Sequence, residues 1–382
     1  MNGDVMSEKY IRSSRPYFPK EDIDRILVAV REALETGRLR NGKNLLEFER
    51  MFVEYIGVKN AVAFDSDGDA LETALRYYGA EGKEVVVCTN SFISIPNSVV
   101  YAGGRVVFAD IGAETLSMDP SSLRKCITKK TAGVVVTHIA GFPSPDLKEI
   151  MEICDENDVV LIEDATHAVG ALFEGKKVGT FGKAAVFAFT PTKVFTTGEG
   201  GMLVTNEAEL AEEAKRFRYY GSGPGKSSFV KVGRHMMLPE ISAILGIFQL
   251  RRVEEFIAKR NGIAKVYDEG LANLDLVQTV KCAPRSRCSY YKYPLTLDAG
   301  VDKTKFTATL DKKYQIETGN VFYPPCHMQT VYERLGGMCA RNLSVAEKIL
   351  AGTITLPMHV AMEHKDAEHV VCSVQSLLQR VE

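Results

Sequence analysis

No apolar run in this sequence is long enough to cross a bilayer. Such runs stop after a few residues, as in Val134 to Val136 or Val159 to Ile162, where a membrane helix needs about 20. The opening residues, MNGDVMSEKY, lack the apolar stretch of a signal peptide. A charge excess is missing too: Lys and Arg number 47 against 49 Asp and Glu, a net of −2. That balance leaves no electrostatic basis for holding nucleic acid or a membrane surface. None of the eight cysteines forms a CxxC, and the nearest pair, Cys282 and Cys288, lies six apart. Without a signal peptide they read as reduced, mostly buried thiols, and the expected compartment is the cytoplasm. The seven histidines do not cluster. His364 and His369 are five apart, on different sides of a helix, so no metal site is expected. Repeats and low-complexity segments are absent.

What remains is a globular chain of 382 residues, 45% hydrophobic and 25% charged. That length exceeds one ordinary core and suggests a large domain with a smaller one. Ile23, Ile26, Leu27, Val30 and Leu34 recur at helical spacing, and Gly37 supplies a stop. Seven short β-rich runs follow: 61–64, 84–88, 105–109, 133–137, 159–163, 184–189 and 201–205. Helical patterns such as 70–78, 147–157 and 207–219 separate them. This rhythm predicts an α/β fold with a mainly parallel seven-stranded sheet covered on both faces. Active sites of such sheets gather at the carboxyl ends of the strands. A long helical stretch from about 240 to 274 then leads to a smaller α+β region. The expected division is 1–254 for the large domain and 255–382 for the small one.

Two segments carry the chemistry. VVLIEDATHAVGA is a buried strand ending in Glu163 and Asp164. VFAFTPTKVFTTGEGG is a strand, a turn through Pro191, then Lys193 and a glycine-rich exit. Alone, each has a bland reading, since acids commonly end strands and lysines after turns are usually solvated. Together they bring an amine and a carboxylate to one sheet edge. A pyridoxal cofactor needs both: an amine to condense with its aldehyde and move a proton, and a carboxylate against its pyridine nitrogen.

At this point the chain resembles the DegT/DnrJ/EryC1/StrS sugar aminotransferases, which share the fold-type I pyridoxal-phosphate architecture. The resemblance runs from about Pro16 to Val370. It rests on ETGRLRNGKNLLEFERMFVEYIG, VVFADI, VVVTHIAGFP, IEDATHAVGA, FAFTPTK, GEGGMLVTN and ITLPMH in order. It implies pyridoxal 5'-phosphate as cofactor, cycling through its pyridoxamine form. Lys193 is then the Schiff-base lysine and Asp164 the partner of the ring nitrogen. His167 lies near the phenolic oxygen, and Phe92 covers one ring face unless it is plain core packing. Ser66, Asp67 and Gly68 fall where the family cradles the phosphate at a helix start.

The cradle departs from the family at three points. Asp67 brings a negative charge toward a dianion. Ala188 replaces a common phosphate-binding serine. His235 stands where the family uses an asparagine that reaches the neighbouring subunit's phosphate, with Met237 in place of an arginine. GSGPGKSS looks like a phosphate loop, but Tyr220 stands where the Walker spacing needs glycine. In the family this loop approaches the site across the dimer. Lys226, Lys231 and Arg234 are therefore either contacts for substrate phosphate or carboxylate, or a solvated basic loop. His327 is either a substrate-entrance histidine or a packed structural one.

The resemblance implies a homodimer that moves an amino group from an amino acid, by family habit glutamate, to a keto sugar, most often nucleotide-linked, in amino-sugar biosynthesis. Two alternatives stand beside it. One is a pyridoxamine-dependent sugar dehydratase, against which Lys193 argues, because those relatives carry histidine there. The other is a non-catalytic regulatory or sensor protein on the same scaffold, favoured by the altered cradle.

Overall fold

The computed structural model describes residues 10–225, 227–335, 338–339 and 343–379. Helices α1 (Lys20–Thr36) and α2 (Lys43–Ile56) lead into β1 (Asn60–Phe64) and α3 (Asp67–Tyr77). The chain then alternates through β2 (Glu84–Cys88), α4 (Ser94–Tyr101), β3 (Arg105–Ala109), α5 (Pro120–Cys126), β4 (Thr131–Thr137), α6 (Leu147–Glu156) and β5 (Val160–Asp164). A hairpin of β6 (Leu172–Phe173) and β7 (Lys176–Lys177) precedes β8 (Ala184–Ala188), β9 (Gly201–Thr205), α7 (Ala208–Phe217) and the long α8 (Glu240–Leu271). The C-terminal part contains β10 (Val277–Thr279), β11 (Tyr293–Leu297), α9 (Lys303–Tyr314), α10 (Thr330–Arg334), β12 (Met338–Cys339), α11 (Ser344–Gly352), β13 (Thr353–Leu356) and α12 (His364–Leu378).

All seven expected strands form and lie in one sheet, in the order β1-β9-β8-β5-β4-β2-β3-β12. An eighth member, the two-residue β12, joins its edge in parallel with β3. Strand β9 runs antiparallel to both neighbours, and the pairs from β8 to β12 are parallel. Successive side chains face opposite sides, so Val85 and Val87 join one core and Val86 and Cys88 the other. Both faces are covered, which is why the strands read as continuous apolar runs. A smaller antiparallel sheet, β10-β11-β13, belongs to the C-terminal part. Helix α8 runs unbroken through residues 254 and 255 and packs against α1, α2 and α12.

Buried charges tie these layers together. The Glu240 carboxylate, at the start of α8, accepts the backbone N–H groups of Gly42, Asn44 and Leu45 at 2.8, 3.1 and 3.0 Å. It thereby satisfies the open amino end of α2. Glu49 of α2 accepts from Ala63 N–H in β1 and pairs with buried Arg218 at 2.6 Å. One sequence expectation is corrected. Cys282 and Cys288 are not free thiols but a disulfide. The chain reverses at Pro284 and Arg285 (φ 59°), bringing the two Cα atoms to 6.2 Å, within bridging range. Cys88, Cys154 and Cys326 are buried free thiols.

Glu49→Ala should strand the Arg218 guanidinium in the interior. The expected loss is about 3 to 5 kcal/mol in urea unfolding; a loss below about 1 kcal/mol would show that water reaches Arg218 in the variant.

Candidate active site

Strand β5 ends in two acids, and pleating sends them opposite ways. Glu163 turns to one face, where it accepts N–H groups of Gly179, Phe181 and Gly182 at 2.7 to 2.8 Å and meets His138 at 3.0 Å. It is a structural hub. Asp164 turns to the other face and is 1% exposed. One oxygen accepts from Thr137 Oγ1 of β4 at 2.9 Å, the other from the Thr166 N–H at 3.1 Å.

Strand β8 lies beside β5, with Val186 opposite Asp164. It delivers Lys193 after a tight turn in which the Lys193 N–H donates to the Thr190 carbonyl. The Lys193 Nζ sits 4.7 Å from the centroid of the Tyr291 ring. Its charge bears on Asp67, His167, Tyr291 and Lys292, and the Asp164 charge bears on Asp67. The predicted amine and carboxylate therefore share one cleft at the carboxyl edge of the sheet, where such folds place their ligands.

His167 is buried among these groups. Its Nδ1 accepts the Ala140 N–H at 3.2 Å, so the ring proton of the neutral form belongs on Nε2. Among the described residues that buried Nε2 has no partner. Burial, then the charges of Lys193 and Lys292, push the His167 pKa well below its ordinary value. The imidazole is thus a neutral donor without an acceptor. Its ring lies 4.5 Å from Tyr291 and 5.4 Å from Phe322. Phe92 stands 5.5 Å from Phe322 and is 49% exposed, so its ring is open to a ligand rather than packed in a core.

At the amino end of α3, Ser66 caps the helix by accepting the Asp69 N–H at 3.1 Å. Asp67 accepts from Ser94 Oγ at 2.9 Å. Burial raises the Asp67 pKa, Lys193 opposes the rise, and Asp164 adds to it. The neighbouring Asp65 is pushed up to about 7 by burial and by Asp69. Gly68 gives its carbonyl to Ser98.

Other candidates lie elsewhere. His235 is exposed, with its ring tilted against that of Tyr220 at 5.2 Å. Arg234 is paired with Glu72 and lies 3.8 Å from Asp69, and Lys231 is paired with Glu213. Lys226 lies outside the described residues. His327 has both nitrogens engaged, Nδ1 with Thr89 at 2.7 Å and Nε2 with Glu347 at 3.2 Å.

Residues 20–375 match the DegT/DnrJ/EryC1/StrS aminotransferase family. The chain belongs to that family. It is 33% identical over 341 residues to GDP-perosamine synthase of Caulobacter vibrioides, covering 88% of this chain and 91% of that one. It is 30% identical to the spore coat polysaccharide biosynthesis protein SpsC of Bacillus subtilis, with 97% of each covered. The structure matches Helicobacter pylori PseC, an aminotransferase involved in the biosynthesis of pseudoaminic acid. That match has a TM-score of 0.89 at 28% identity, over 97% of this chain and 100% of the other. The protein is accordingly a pyridoxal-phosphate-dependent aminotransferase of the fold-type I class.

The residues present fit the ring of that cofactor. A phenolic oxygen is the kind of acceptor that the partnerless His167 N–H lacks. Sequence reasoning missed Ser94, Thr137, Tyr291, Lys292 and Phe322. Tyr291 and Lys292 sit in SYYKYPL, which reads only as a strand, and nothing local marks Phe322 as part of a site.

A histidine whose pKa is lowered by folding disfavours acid. Below about pH 6.5 the unfolded chain takes up a proton that folded His167 refuses, so stability falls as pH drops. The loss approaches about 1.4 kcal/mol per pH unit for one such group. Urea unfolding from pH 7.5 to 5.5 should show a shallower decline for His167→Gln than for the native protein; equal slopes would mean that His167 protonates freely.

Proposed function

We propose that this enzyme transfers an amino group from an amino acid, glutamate by our reading, to a nucleotide-linked keto sugar. Relatives that make GDP-perosamine or act in pseudoaminic acid biosynthesis support the sugar. The observation that carries the reading is the convergence of Lys193, Asp164 and the partnerless His167 N–H on one cleft.

When bound, pyridoxal phosphate supplies an aldehyde and a ring that accepts the electrons released as a proton leaves the substrate carbon. The rest is protein chemistry. Asp164, oriented by Thr137 and the Thr166 N–H, holds a proton on the ring nitrogen. Lys193 Nζ would hold the aldehyde and would serve as the base and acid that moves the proton at the reacting carbon. His167 donates to the phenolic oxygen, and Phe92 shields one face of the ring. The cradle is Ser66, Asp67 and Gly68 at the start of α3. His235 completes it from a second copy of the chain in our reading. Exposed Phe229, Val230 and Val232 on the same loop give that copy an apolar surface. Among the described residues no helix is long and apolar enough to cross a membrane; we place the enzyme in the cytoplasm. The regulatory-protein alternative has Asp67 as its support. The retained lysine and carboxylate favour catalysis.

Lys193→Ala should lose turnover by about a thousandfold or more and leave no cofactor fixed to the chain by borohydride. Retained transamination would end the assignment. Asp164→Asn should fold normally and lose most activity, and a near-native rate would remove Asp164 from the ring nitrogen. Asp67→Asn removes a carboxylate from beside a dianion, so equilibrium dialysis should show pyridoxal phosphate held about tenfold more tightly. An unchanged dissociation constant would show that Asp67 points away from the phosphate.

A further inference from the structure

Two lysine side chains approach one ring. Nζ of Lys193 lies 4.7 Å from the Tyr291 centroid and Nζ of Lys292 lies 5.4 Å from it. Lys292 also stands 5.3 Å from the Phe322 ring and donates to the Asn320 carbonyl at 2.7 Å. Tyr291 and Phe322 are the rings that bracket His167, so Lys292 sits at the rim of the same cleft. Among the described residues, the side chains that act on its charge are Tyr291 and Lys193, and neither is a carboxylate. A half-buried ammonium is unfavourable on its own, and two ring faces and one carbonyl offset only part of that. An anion brought by the substrate would supply the rest.

The segment that carries Lys292 is held rigidly. Its N–H donates to the Ala140 carbonyl at 3.1 Å. The buried guanidinium of Arg260, from α8, grips the carbonyls of Tyr290, Tyr291 and Met358 at 2.9, 3.4 and 2.9 Å. A recognition group on a fixed support is preorganised for its ligand.

We propose that Lys292 anchors the α-carboxylate of the amino donor. This rests on the transamination reading above. In an amino acid the carboxylate is bonded to the very carbon whose nitrogen changes places with Lys193. A cation that receives it must share the surroundings of Lys193, and Lys292 shares its ring. A sugar acid would carry its carboxylate several bonds from the reacting carbonyl.

The test uses the pyridoxal-phosphate-loaded full chain and follows bleaching of its visible band. L-Glutamate is compared with n-propylamine, which has no carboxylate. Lys292→Met should raise the half-saturating glutamate concentration at least about tenfold, the effect of one lost charge-assisted hydrogen bond, and leave that of propylamine nearly unchanged. Lys292→Arg, which keeps the charge, should stay close to native. Calorimetry with 2-methylglutamate, which binds without losing a proton from its α-carbon, should show the same loss of affinity. Equal losses for glutamate and propylamine would overturn the proposal in favour of a packing role. A defect confined to the keto-sugar half-reaction would overturn it by moving the carboxylate to the acceptor. Native-like glutamate binding in Lys292→Met would overturn it while leaving the aminotransferase reading intact. Failure of the native protein to form a visible band would remove that reading as well.

Discussion

A carboxylate sealed at the end of β5 is the constraint around which the site is built. Asp164 is 1% exposed and holds two hydrogen bonds, one from a side chain on β4 and one from its own turn. Two such bonds do not replace the water a charged carboxylate gives up. In our reading a cationic ring nitrogen would complete the position. Register makes this possible. Thr137 lies opposite Asp164 in β4 and Val186 opposite it in β8, so slipping either strand by one residue would turn these side chains to the wrong face. The same pleat separates the roles of Glu163 and Asp164, neighbours in sequence with unrelated work.

Charge is then distributed around this fixed acid. Lys193 and Lys292 both approach the Tyr291 ring, His167 lies 4.5 Å from the same ring, and Asp67 stands at the start of α3. Burial, with the charges of both lysines, disfavours protonation of His167, which keeps its Nδ1 an acceptor for the Ala140 N–H and leaves the proton on Nε2. Asp67 is the discordant member. Burial and Asp164 weaken its acidity, and the Ser94 hydroxyl engages one of its oxygens. The open N–H groups and the dipole of the same helix terminus still favour an anion there.

Much of the large domain was legible because both faces of its sheet are buried. Each strand is then a short block of Val, Ile and Ala between turn residues, and all seven expected blocks form strands. Asp164 was legible because it ends a strand, and Lys193 because it follows one by a short turn, and parallel strands open their sites at one edge. Phe322, Tyr291 and Lys292 were not, because they reach the cleft only when the C-terminal part folds across it, and no local spacing encodes that approach. The Cys282–Cys288 bridge was missed for a related reason. Its closure depends on a left-handed turn at Arg285, not on a CxxC pattern. His327 carried two readings in sequence, and the structure gives both of its nitrogens to protein partners.

The cleft is therefore a product of the joint between the two parts of the chain, and buried polar contacts set that joint. Asp110, just after β3, accepts the N–H groups of Val345 and Ala346 at the start of α11. Arg260 ties α8 to the carbonyls of Tyr290, Tyr291 and Met358, and burial holds its pKa down to about 10. Apolar contacts alone would hold the C-terminal part against the sheet, but they are non-directional and would permit sliding. Hydrogen bonds to fixed carbonyls and helix ends do not slide without leaving buried groups unmade, at about 1 to 3 kcal/mol each. That penalty keeps Lys292 and Phe322 in register with Lys193. Asp164 and Lys193 are placed by the sheet and its edge turn, while the groups that frame them belong to the lock between the sheet and what covers it.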